Sequence, residues 1–169
     1  MESARLIAGL TRLVRDVGLA EELAQDALVT ALETWPRDGI PDKPGAWLMT
    51  TARRRAIDRI RRLPMLERKH QELGHLVELQ QQPPDVDAGL DNPVADDLLR
   101  LMFMACHPVL SSEARTALTL RLVGGLTTPE IARAFLVGET TVAQRIVRAK
   151  RTLGEARVPF ELPLSLIHI

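Results

Sequence analysis

Wherever this chain is apolar, its apolar residues return every three or four positions, and no stretch alternates with period two, so helices are expected throughout. Leu6, Ile7, Leu10, Leu13, Val14 and Val17 form the first stripe, over a helix from Ala4 to Val17. Leu23, Ala24, Ala27, Leu28, Ala31, Leu32 and Trp35 form the second, over Ala20 to Trp35, with Glu21, Glu22, Gln25 and Asp26 lying off it. The acids of that first turn suit the positive end of the helix dipole. Pro36 to Gly45 holds three prolines and two glycines and reads as a loop. A third helix is expected from near Pro44, through Trp47, Leu48, Ala52, Ala56, Ile57 and Ile60, into a row of arginines.

The pattern lapses from about Gln80 to Asp97, where glutamines, prolines and acids carry too little apolar surface to fold alone. It returns at Leu98, Leu99, Leu101, Met102 and Met104 and stops at Pro108. After Ser111-Ser112-Glu113, where a serine can cap, another helix runs to Gly124-Gly125. Thr127 three residues before Glu130 is a capping box, opening a short helix through Ile131, Ala132 and Phe135. The last helix follows Leu136-Val137-Gly138, from about Glu139 to Leu153. The fold class expected is all-α: two small helical domains, residues 1–66 and 98–158, joined by an acidic linker over 67–97. Residues 159–169 read as a tail of non-native character.

A net charge of zero over 169 residues argues, as an average, against a nucleic-acid partner. The average hides segregation. Arg53, Arg54, Arg55, Arg59, Arg61, Arg62, Arg68 and Lys69 crowd one stretch, and Arg145, Arg148, Lys150, Arg151 and Arg157 another. Between them, Gln71 to Asp97 has no lysine or arginine but holds Glu72, Glu78, Asp85, Asp87, Asp91, Asp96 and Asp97. A lone cysteine, Cys106, excludes an internal disulfide or a multi-cysteine zinc site. Adjacent Cys106 and His107 would point about 100° apart on a helix, so the pair reads as a buried thiol beside a helix-end histidine, with no metal and no cofactor expected. His70, His75, His107 and His168 are scattered, and no catalytic triad or phosphate loop accompanies them, which disfavours an enzyme. No apolar run approaches the ~18 residues of a membrane span. The start, Met1 to Arg5, lacks a signal-peptide layout, and a cytoplasmic protein without a membrane partner is expected.

From Thr127 to Leu153 the order is short helix, turn, longer basic helix, the geometry of a helix-turn-helix. Ile131, Ala132, Phe135, Val142, Ile146 and Leu153 would face inward. Thr140, Thr141, Gln144, Arg145 and Arg148 would face outward, offering hydroxyl, amide and guanidinium groups to bases and phosphates. The same pattern fits an ordinary helical hairpin, or a stand-alone helix-turn-helix regulator with a sensing N-terminal half. A sensor, however, has no need of the arginine row after Trp47.

"AEELAQDALVTALETW", "GAWLMTTARRRAIDRIRR" and "LTTPEIARAFLVGETTVAQRIVRAKRTL", in that order and spacing, resemble the two domains of extracytoplasmic-function sigma factors. The resemblance implies a factor that binds core RNA polymerase and directs it to promoters. By it, Glu22, Gln25 and Asp26 match the part of region 2 that docks on the coiled coil of the β′ clamp. Arg53, Arg54, Arg55, Arg59, Arg61 and Arg62 fall in the part that engages the −10 element. Thr140, Thr141, Gln144, Arg145, Arg148, Lys150 and Arg151 fall in the part that reads the −35 element, in a domain expected also to meet the β flap. The acidic linker fits a solvated tether, or a segment that threads the polymerase's RNA channel. "ACHPVLSSEARTALTLR" looks closest to a subgroup with a large C-terminal extension, absent here. An anti-sigma factor, or that missing domain, is a further candidate partner. The chain departs from the family pattern at Leu136, where many members place a glycine in the turn. It departs again at Trp47, the only aromatic of the melting region, whose position suits a core better than a base stack.

Overall fold

The computed structural model describes residues 2–62 and 93–161, and every regular element within them is a helix. These are α1 (Glu2–Val14), α2 (Val17–Asp38), α3 (Pro44–Arg62), α4 (Pro93–Ala105), α5 (Ser112–Leu122), α6 (Thr128–Ala134) and α7 (Glu139–Glu155). Most of the expected linker, with Arg68, Lys69, His70 and His75, lies outside the described residues, as do the side chain of Ile60 and the tail from residue 162 with His168.

Local chemistry sets the helix boundaries. Asp16 caps α2 by accepting from Leu19 N at 2.8 Å, while Arg15 adopts a left-handed φ of 54°. This two-residue corner ends α1 at Val14 and moves Val17, expected as the last turn of α1, into the start of α2. Helix α2 then runs past Trp35 through Pro36, where a loop was expected, and closes with Gly39 N donating to Trp35 O at 2.9 Å. A proline in the last turn removes one donor, and the carbonyl it would have served belongs to Leu32, which is exposed to water.

Helices α1, α2 and α3 pack as a bundle on Leu6, Leu10, Leu23, Ala27, Leu48 and Ala52, all buried. A side chain on Gly9 would meet the Met49 methyl at 2.6 Å, so the bare glycine sets how closely α1 and α3 approach. Trp47 of α3 meets Trp35 of α2 edge to face, ring centroids 5.5 Å apart and planes at 63°, both partly buried against the core. The side-chain contacts of α3 with α2 fall on Trp35, Thr30, Asp26 and Glu22 and not on Leu32, which does not join the stripe expected for it and stands 76% exposed, one turn from exposed Val29.

Helix α4 starts at Pro93, inside the stretch expected to be linker, and lies chiefly along α1. Its Asp97 is buried rather than solvated: Arg12 Nε of α1 lies 3.3 Å away and Arg100 Nη1 3.4 Å. Ser111 caps α5 through Ala114 N. The capping box of α6 forms in full, Thr127 N donating to Glu130 Oε2 at 2.7 Å and Glu130 N to Thr127 Oγ1 at 3.4 Å. Cys106, expected to be buried, is exposed, with its Sγ 3.5 Å from Thr119 Oγ1, because α4 ends one residue earlier at Ala105. One apolar cluster continues from the N-terminal bundle through Leu101 and Leu118 to Ile131, Val142 and Ile146.

Candidate nucleic-acid interface

Helices α6 and α7 build the C-terminal candidate surface. Ile131, Ala132, Val142, Ile146 and Leu153 are buried as expected, and they fix which side of α7 faces out. Phe135 is not among them and is 47% exposed. It is the C-cap of α6, with φ −101° and ψ 3°, so the chain has left the helix before Phe135 can complete the stripe. Partly buried Val137 takes the inward place, its N–H donating to Ala132 O at 3.1 Å. Between them Leu136 holds φ 53° with its side chain 93% exposed. The turn thus takes the left-handed geometry that a glycine adopts at no steric cost, but with a leucine in place.

Thr140, Thr141, Gln144 and Arg148 are exposed on α7, and Arg145 is half-buried on the same side. Opposite Arg145, the Glu113 carboxyl at the start of α5 is held below the ordinary carboxylate range. Its own backbone N–H contributes most, the Ser111 hydroxyl next, and the Arg145 charge last. Arg151 is exposed and pairs along the helix with Glu155 at 3.0 Å. Lys150 does not share the outward face: its Nζ turns toward α2 and pairs with Glu21.

In the N-terminal bundle Arg54, Arg55, Arg59, Arg61 and Arg62 are exposed along α3, and Arg53 is half-buried. Arg59 Nη1 donates to Glu22 Oε1 at 2.6 Å. Arg55 lies 3.4 Å from Asp26 Oδ2 and donates to Thr30 Oγ1 at 2.5 Å. The acids expected to meet polymerase and two of the arginines expected to meet the −10 element are therefore ion-paired with each other. Gln25 Nε2 donates to Glu21 Oε1 at 3.1 Å. Along the outward side of α2 the face reads Glu22, Gln25, Asp26, Val29 and Leu32, polar for two turns and then apolar.

Sequence reasoning missed the part played by Glu21, which it placed off the stripe with its neighbours. Glu21 is 4% exposed and accepts from Arg121 Nε at 2.8 Å and from Lys150. No local pattern signals this, because the partners lie 100 and 129 residues away. Among the described residues, no cluster of three or more His, Cys, Asp or Glu is placed to hold a metal, and no helix is long and apolar enough to cross a membrane.

The Sigma-70 region 2 family model matches residues 2–63, and the Sigma-70 region 4 model matches residues 100–153. An uncharacterized protein of Rhizobium meliloti (strain 1021) is 41% identical over 164 residues, covering 93% of this chain but 37% of that protein's own length. The ECF RNA polymerase sigma factor SigK of Mycobacterium sp. (strain KMS) is 30% identical over 151 residues, 85% of this chain and 72% of that protein. SigK of Mycobacterium bovis (strain BCG / Pasteur 1173P2) is 30% identical over 158 residues, 89% of this chain and 78% of its own length.

Proposed function

The chain belongs to the extracytoplasmic-function branch of the sigma-70 family, and on that premise we propose that it binds core RNA polymerase and directs it to promoters by reading −10 and −35 elements. It acts as an initiation factor and not as an enzyme, in the cytoplasm where polymerase works. The observation that carries this reading is the disposition of α7. Its buried residues Val142, Ile146 and Leu153 lock one side to α5 and α6, and Thr140, Thr141, Gln144 and Arg148 stand exposed on the other, as a recognition helix requires.

In this reading the N-terminal turns of α7 enter the major groove, with Gln144 and Arg145 at base edges and Arg148 on phosphate. Exposed Arg54, Arg61 and Arg62 of α3 meet the −10 element, joined by Arg53, Arg55 and Arg59. The outward face of α2 docks on the β′ clamp coiled coil. Its three polar residues are followed by Val29 and Leu32, two exposed apolar side chains that a docking partner would cover. The region 4 unit meets the β flap.

Mixing the chain with core polymerase and a promoter library tests the proposal. Co-migration with core, and run-off transcripts that appear only when chain and core are both present, are the outcome expected. A chain that binds promoter DNA alone and ignores core would be a stand-alone regulator instead.

A further inference from the structure

The turn between α6 and α7 carries a conformational cost that nothing inside the protein offsets. Helix α6 ends in a full Schellman closure: Val137 N donates to Ala132 O at 3.1 Å and Leu136 N to Arg133 O at 3.3 Å, so Leu136 occupies the left-handed position just after the C-cap Phe135. Buried Ala132 and partly buried Val137 hold the two ends of that closure, which keeps φ at 53° with leucine in place. Glycine takes this geometry freely and a branched side chain does not. Leucine nevertheless stands there, 93% exposed, with its isobutyl group in solvent rather than against the core.

Its place is the leading edge of the surface assigned to DNA. Gly138, two residues on, is the N-cap of α7, and a Cβ built there would lie 3.8 Å from Thr140 Oγ1 and 3.8 Å from Thr141 Oγ1. The first exposed side chains of α7 therefore gather at the end of the helix beside Leu136, the end that meets base edges in a helix-turn-helix. At those edges the apolar mark of sequence is the 5-methyl group of thymine in the major groove, and an aliphatic side chain is its natural partner. A protein partner is less well served. A single leucine flanked by half-exposed Phe135 is small for an interface anchor, a role that falls mostly to tryptophan, tyrosine and arginine set in pockets.

We propose that Leu136 is a specificity-determining residue of the −35 interface, where it reads the methyl group of a thymine beside the bases met by α7. The inference rests on the function proposed above. The strained backbone fixes the direction of the Cα–Cβ bond and holds the isobutyl group out of the fold, so little ordering remains to be done when DNA arrives. Stability is given up at a point where contact with a partner regains it, which is how a functional site departs from what its fold alone would prefer.

Replacing thymidine by deoxyuridine removes the methyl group and leaves every base-pair hydrogen bond in place, so it probes this contact alone. Core polymerase with the parent chain, Leu136→Ala or Leu136→Gly is given templates with randomised −35 elements, each made with thymine or with uracil there. The parent should favour thymine over uracil at one −35 position by about fourfold, the factor for about 0.8 kcal/mol from one buried methyl-sized group. Both variants should lose that preference and keep all others. Alanine retains the strain and glycine relieves it, so a shared loss belongs to the side chain. A parent indifferent to uracil at every position overturns the proposal, as does a thymine preference that survives both substitutions, or one that is lost in Thr140→Ser or Thr141→Ser instead. Equal loss of output on all templates overturns it too, and places Leu136 against polymerase. Selection from the same duplexes by the free chain at low salt separates this inference from the wider reading. A Leu136-dependent thymine preference without core-dependent transcripts would remove the sigma-factor function and leave the methyl reader standing, whereas absence of the preference in both assays overturns the methyl reader whether or not transcripts form.

Discussion

Arg59 and Glu22 hold each other across α3 and α2 at 2.6 Å, each about half exposed, so a residue assigned to promoter DNA neutralises one assigned to polymerase. Exposed pairs of this kind contribute about 0–1 kcal/mol, which either partner can displace. Glu22→Gln should therefore act in opposite directions. Releasing Arg59 should strengthen non-specific DNA binding by the free chain, while loss of the carboxylate weakens core binding. Titrations with random duplex and with core polymerase read the two effects. A decrease in both would mean the pair is structural.

DNA binding by the free chain should be weak and steeply salt-dependent, since each half offers few arginines and each phosphate contact contributes about −0.9 to the log–log slope. A nanomolar, salt-insensitive complex with random duplex would contradict the interface described for α3 and α7.

On α7, Arg145→Ala should change which −35 sequence is preferred, whereas Arg148→Ala should lower output on all of them. A bidentate base contact gives about 1–3 kcal/mol of discrimination, and a phosphate contact gives none. Transcription from a −35 library distinguishes them. The inverse result would mean that α7 is rotated in the groove.

Leu136→Gly should stabilise the protein. A left-handed leucine costs about 1–2 kcal/mol and glycine's extra chain entropy about 0.5–1 kcal/mol, so the net gain is about 0.5–1 kcal/mol. With the leucine 93% exposed, no packing is lost. Leu136→Ala, which keeps its Cβ, should gain nothing. Thermal unfolding of the two variants decides the matter, with an expected rise of about 2–4 °C or less for glycine.

Asp97 sets a pH dependence. Burial holds its carboxyl above its ordinary value of 3.8, prevailing over the pull of Arg12 and then Arg100. In the window from 3.8 up to that raised value, the folded state binds the proton more tightly than the unfolded one. The stability Asp97 confers must then fall as pH rises through the window. Urea unfolding of the parent and of Asp97→Asn across the acid range should show the parent losing ground to the variant with rising pH. The opposite slope would mean that attraction to the arginines outweighs burial.

The helices, the serine cap before α5 and the Thr127–Glu130 box could be read from the sequence because each depends on residues within a turn of one another. What could not be read depends on the third dimension. Leu32 has the right spacing for its stripe, yet it stands exposed on α2 while α3 meets that helix through Trp35 and Thr30. Phe135 has the right spacing too, but the helix has ended. Asp97 looks like linker by composition, and only the approach of Arg12 from α1 makes it a buried partner. The acidic trio and the arginine row were each recognisable, but their pairing across α2 and α3 was not.

The edge-to-face pair of Trp35 and Trp47 has an optical consequence. The chain has two tryptophans and no tyrosine, so its near-ultraviolet emission comes from one point between α2 and α3. Intrinsic fluorescence will report the melting of the first half and remain blind to the second. Circular dichroism, which sums over every helix, will report both. A fluorescence curve that lags or leads the dichroism curve would measure how independently the two halves come apart.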